Sequence, residues 1–240
     1  MNVPTMWTIF VVNFLALALI WAYVMRSYPS FDAAPFWTGS ALAAAAGAAL
    51  AMLRVVAEES LLPLIAGGVV MAFAGCLASM GIKRFYGRPA DWRETAMIVG
   101  LSLIGLMFFR FVYDSAPLRI AVFTIAQSLP LALTLKLLLS RPDGRANPGA
   151  RLAGIVVVLI IGIFALRLAG GLLHLGGEFT FTHFNPMQAG LVLALLFLSM
   201  ALNFGFLLMA MDRLRNEVAD LALMDDLTGV GNRQIGRAHV

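Results

Sequence analysis

The chain of 240 residues is 61% apolar and 12% charged, with a mean hydropathy of +0.88. Soluble domains run at roughly 45–50% apolar and about 25% charged, so this composition excludes a soluble globular enzyme, a disordered tail and a disulfide scaffold. The net charge of +4 comes from basic residues placed between apolar runs, where they set membrane topology rather than bind nucleic acid.

A bilayer crossing takes about 20 apolar residues, so seven would use roughly 140 and leave about 100 for loops and ends. Seven apolar runs are present, at 4–25, 36–53, 60–80, 94–113, 117–139, 152–174 and 187–211. The expected fold is an all-α, seven-transmembrane helix bundle forming a sensor domain over 1–211. The second run is rich in Ala and Gly from Ala41 to Ala51. Small residues let membrane helices approach closely, so this helix is expected at the centre or at an interface. Pro63, Gly67, Gly68, Pro130, Gly170 and Gly171 fall inside runs, as membrane helices tolerate. The lone Cys76 lies in an apolar run and reads as a buried, inert thiol.

Loop charge gives the orientation. Arg26, Lys83, Arg84, Arg88, Arg93, Lys136, Arg141, Arg145, Arg151, Arg213 and Arg215 flank one side, against Arg54, Arg110 and Arg119 on the other. This asymmetry predicts the N-terminus outside and the C-terminus in the cytoplasm. The first eight residues carry no Lys or Arg, which argues against a cleaved signal peptide. The stretch Gly176–Pro186 alternates aromatic and polar residues and reads as an interfacial loop, or else as a ligand lid.

Charges at membrane depth are costly and mark candidate functional groups. Arg110 and Asp114 stand four residues apart and are expected to pair. Arg167 lies inside the sixth run, with His174 seven and Glu178 eleven residues further on. If the helix runs that far, all three share one face. Arg167 needs a partner, for which Asp114, Glu178, a helix carbonyl and a small anionic ligand are the alternatives. His174, Glu178 and His183 match known metal spacings only loosely, so no metal site is assigned. Asn13, Gln127 and Asn203 are expected to form hydrogen bonds between helices.

The last run does not stop at the membrane. Leu207, Met211, Leu214, Val218 and Leu221 are spaced by four, three, four and three residues, the period of a coiled-coil seam. A signalling helix over 207–224, dimerising two chains, is the expectation.

Residues 221–233 then read LALMDDLTGVGNR. This segment resembles the opening of a GGDEF domain, the catalytic domain of diguanylate cyclases, which begins L-A-x-x-D-x-L-T-G-L-x-N-R-R after a signalling helix. Leu221, Ala222, Asp225, Leu227, Thr228, Gly229, Asn232 and Arg233 match, and Val230 replaces Leu. Asp225 or Asp226 suits a cap, and Gly229 and Gly231 permit a tight turn.

The resemblance covers thirteen residues. It implies a homodimeric cyclase of a bacterial inner membrane that joins two GTP into cyclic di-GMP with Mg. The family's Gly-Gly-Asp/Glu-Asp/Glu-Phe loop, its metal-binding acids and its guanine-reading Asn are not among the 240 residues. No residue of 222–233 is therefore read as catalytic, and no cofactor site is expected here. Residues 234–240 leave the family pattern, and their possible codons match a common sequencing adapter. The expectation is that this tail is an artefact and that the gene runs on into a full cyclase domain. A stand-alone transporter or receptor is the alternative. A retinal photoreceptor is excluded, because residues 187–211 hold no Lys for a Schiff base.

Overall fold

Each apolar run becomes one helix in the computed structural model, which describes residues 3–56, 61–140, 147–173 and 185–223. The helices are α1 (Val3–Ser27), α2 (Ala34–Val56), α3 (Leu61–Phe85), α4 (Trp92–Phe111), α5 (Ala116–Leu139), α6 (Pro148–Leu172) and α7 (Pro186–Leu223). All seven are long and apolar enough to cross a membrane, and among the described residues there is no strand. Leu19, Leu101, Ile104 and Phe197 are each about two-thirds exposed, which suits hydrocarbon rather than water. A multi-pass membrane protein follows, since a helix satisfies its own backbone groups in lipid.

Six helices form a closed ring. The pairs α1–α2, α2–α3, α3–α5, α5–α6, α6–α7 and α7–α1 each pack together, and α4 packs on α3 and α5 outside the ring. The α1–α7 contact is the thinnest. One buried polar link closes it, where Trp21 Nε1 donates to Asn203 Oδ1 at 3.0 Å.

Helix ends differ from the hydropathy limits for local reasons. α3 runs to Phe85, past its apolar run, because Lys83 pairs with Glu94 at 2.7 Å and Arg84 pairs with Asp32. Gly87 then takes φ +68°, and the amides of Gly87 and Arg88 donate to the carbonyls of Arg84 and Lys83, both at 2.9 Å. This is a glycine-terminated helix end, where a Cβ would be strained. Asp91 caps α4 by accepting from the Glu94 amide. α6 starts at Pro148 because Asn147 caps it, accepting from the Ala150 amide at 2.8 Å. It ends at Leu172, where the Leu173 amide donates to Ala169 O.

The start of α6 is clamped to α7. A Cβ on Gly149 would lie 2.4 Å from the Met209 amide nitrogen, and one on Gly205 would lie 3.0 Å from Ala153 Cβ. Asp212 accepts from the Gly149 amide at 2.8 Å, placing a negative charge at the positive end of α6. Asn147 also donates to Met209 O at 3.4 Å. These contacts grip α7 just before it leaves the bundle.

Candidate functional site

The ring surrounds a partly open cavity of about 210 Å³. A single water needs only about 10–15 Å³ measured this way, so the space is large enough for a small molecule. All seven helices contribute to its wall. α2 presents Ala41, Ala44, Gly47 and Ala51 to it. The small side chains thus leave space as well as permit the close packing of α2 on α1 and α3, so α2 is an interface helix of the ring rather than a central one. On α7 the wall runs from Val192 to Phe206, a separation of fourteen residues or about 21 Å of helix. The cavity is therefore elongated along the bundle axis.

One end of the cavity is cationic. Arg119, Phe123 and Arg167 all line it. Arg119 is 8% exposed and pairs with Asp114, and its Nη1 also donates to Phe109 O at 2.8 Å. Asp114 accepts from Arg110 as well, at 2.9 Å. The hydrogen bond from Arg119 holds the Asp114 carboxyl below the ordinary carboxylate range, burial opposes that, and the charges of Arg119 and Arg110 add to the lowering.

Arg167 is 7% exposed and stands 5.4 Å over the Phe123 ring. Its Nε has no hydrogen-bond partner, and among the described residues it forms no ion pair. A desolvated cation–π contact contributes about 2 kcal/mol. Burying an unpaired ion costs several kcal/mol, so the ring offsets only part of that penalty.

The other end of the cavity is aromatic. Trp37 stacks on Phe206 and packs against Trp21, with ring centroids 4.5 and 4.7 Å apart. Trp21 and Trp37 are fully buried, and Trp37 Nε1 donates to Ala78 O at 3.3 Å. Phe85 continues the stack at 6.3 Å from Trp37. Arg213, just beyond the cavity on α7, lies over the Phe85 ring at 5.6 Å and donates to Phe85 O at 3.1 Å.

The sequence expectations meet this geometry unevenly. The Arg110–Asp114 pair forms as expected. Among the alternatives for Arg167, Asp114 is engaged by Arg110 and Arg119 instead. His174, Glu178 and His183 lie outside the described residues. Asn203 makes its expected interhelical bond, whereas Asn13 Nδ2 is buried without a partner. Among the described residues no cluster of His, Cys, Asp and Glu could hold a metal ion.

The seam residues Met211, Leu214 and Val218 are exposed, and Leu207 packs partly into the core. Leu221 belongs to α7, but its side chain lies outside the described residues, as do Asp225, Leu227, Thr228, Gly229, Asn232 and Arg233. Trp37 and Phe206 line the cavity although the sequence does not single them out, and so does Arg119. Arg119 looked like a topology-setting loop charge, and its five-residue separation from Asp114 was the only signal.

Comparison with family models, curated proteins and solved structures finds no match for this chain. The resemblance at 221–233 accordingly rests on those thirteen residues.

Proposed function

We propose that this chain is the membrane sensory and transducing region of a diguanylate cyclase. In this reading the bundle responds to a stimulus and passes it through α7 to a cytoplasmic GGDEF domain that makes cyclic di-GMP from GTP and Mg. The cyclase chemistry belongs to the domain that the motif at 225–233 would open. Residues 1–223 supply sensing and coupling.

The continuity of α7 carries the reading. It is one helix of 38 residues, about 57 Å long by its rise per residue. The hydrocarbon core is about 30 Å thick, so the helix extends well past a bilayer towards the cyclase-like motif. The same helix lines the cavity through Val192, Leu195, Ser199, Leu202, Asn203 and Phe206. A change in cavity shape therefore acts on the output helix directly.

The exposed seam supports a dimeric stalk. Met211, Leu214 and Val218 are 63%, 45% and 64% exposed on one chain, and a second α7 would cover them. Two GTP-loaded domains must meet for the reaction, so rotation or sliding of paired stalks is a physically adequate control. An inner-membrane location with a cytoplasmic C-terminus belongs to this reading and draws on the loop-charge asymmetry.

The test is to read the gene beyond the Arg233 codon and assay membranes containing its full product. A domain with the Gly-Gly-Asp/Glu-Asp/Glu-Phe loop and conversion of GTP to cyclic di-GMP would support the proposal. A reading frame that ends at Val240 would overturn it in favour of a stand-alone receptor or transporter.

A further inference from the structure

We infer that the cavity is a binding site for an apolar monocarboxylate, a fatty-acid-like anion. Its carboxylate would sit on Arg167 and its chain would extend along the bundle towards Trp37 and Phe206. The binding stands on geometry alone, while its role as stimulus rests on the sensor reading above.

The charge of the ligand follows from Arg167. A guanidinium stays protonated in proteins. This one is buried, with an Nε lacking any hydrogen-bond partner and no carboxylate against it among the described residues. Arg119 Nε also lacks a hydrogen-bond partner, but its charge is paired with Asp114 and its Nη1 donates to the Phe109 carbonyl. Among the described residues Arg167 is thus a buried cation without a counter-charge, which calls for one negative charge. A carboxylate fits the fork of a guanidinium through two parallel N–H···O bonds.

The body of the ligand follows from the walls. Between Arg167 and the Trp37–Phe206 stack the lining is mostly apolar, with Phe10, Phe14, Leu131 and Phe164, and includes the neutral polar side chains of Ser40, Gln127, Ser199 and Asn203. Pockets of this kind draw their affinity from apolar contact and their orientation from a few polar groups. The cavity is long rather than round, and its open charge lies towards one end. An anion with an extended apolar chain matches both features, whereas a small inorganic anion would leave the aromatic end unused.

The test uses the full chain in lipid nanodiscs, titrated calorimetrically with octanoate, octanol and acetate. The expectation is saturable octanoate binding on top of lipid partition, with octanol and acetate at least about tenfold weaker, since each lacks either the charge-assisted bonds or the apolar contact. Arg167→Gln should lose the saturable octanoate component and respond to octanol as the wild type does. Ala44→Phe fills the apolar wall while keeping Arg167 and should also abolish binding. Absence of a saturable octanoate signal would overturn the inference. So would equal affinity for octanoate and acetate, or unchanged octanoate binding in Arg167→Gln. Octanoate binding that leaves cyclic di-GMP synthesis by the full product unchanged would retain the site and remove its role as stimulus.

Discussion

Trp37 on α2 lies parallel to Phe206 on α7, with ring planes 6° apart. The pair forms the aromatic end of the cavity and also the start of a chain of contacts out of it. Phe85 packs on Trp37, and Arg213 covers Phe85 and donates to its carbonyl. Phe206 and Arg213 belong to the same helix, seven residues apart. The cavity end and the point where α7 departs are thus tied both through space and along one backbone.

Gly81 permits the Trp37 position. A Cβ there would fall 2.3 Å from Trp37 Nε1 and 2.4 Å from its Cδ1. Gly81→Leu should displace the indole and destabilise the bundle by about 1–3 kcal/mol, the scale of overpacking a core. Thermal unfolding together with tryptophan emission checks this. A variant with unaltered stability and emission would contradict the packing described here.

The clamp between α6 and α7 gives a paired prediction. Gly149 meets α7 backbone, which no rotamer change relieves, while a Cβ at Gly162 has nothing within 4 Å. Gly149→Ala should therefore destabilise by about 1–3 kcal/mol through overpacking. Gly162→Ala should be neutral or stabilise by up to about 1 kcal/mol, through better helix propensity. Unfolding of both variants in the same detergent gives the comparison, and the ordering is the decisive result.

Trp21 and Asn203 should couple. Their hydrogen bond closes the thinnest seam of the ring. A double-mutant cycle with Trp21→Phe and Asn203→Leu is expected to give an interaction energy of about 0.6 kcal/mol, with an upper range near 1.7. Additive single effects would mean that the bond does not hold α1 to α7.

Acid stability should report Asp114. Its carboxyl is held down chiefly by the hydrogen bond from Arg119. An acid with a depressed folded value contributes stability that is fully present above the unfolded value, about 3.9 for Asp. That contribution is lost as pH falls through the lower folded value. Wild-type unfolding should steepen below about pH 4 for this reason. Asp114→Asn should lack that limb and be less stable at neutral pH, because it leaves the buried Arg119 without its counter-charge. Parallel acid limbs for the two proteins would contradict the assignment.

Much of the fold was legible in the apolar runs, because a membrane helix must be apolar along its whole length and seven such stretches stand apart. Arg167 was legible for the same reason, as a lone charge inside one of them. The helix ends were less so. α3 outruns its apolar stretch because ion pairs by Lys83 and Arg84 support its last turn. The aromatic end of the cavity could not be read, since Trp21, Trp37, Phe85 and Phe206 come from four helices, and hydropathy carries no information about which helices are neighbours. Arg119 was hidden because its burial depends on how α4 and α5 fold back on each other.

In the function proposed above, α7 transmits the state of the bundle to a cyclase domain, and the phase of the helix is what an insertion changes. One to seven alanines would be inserted after Asn216 in the full-length product, with cyclic di-GMP formation from GTP measured in membranes. The account predicts output that rises and falls with the insertion and returns near the wild-type level at seven residues, one heptad of a stalk. Output that ignores the insertions, or membranes that make no cyclic di-GMP at any length, would contradict it.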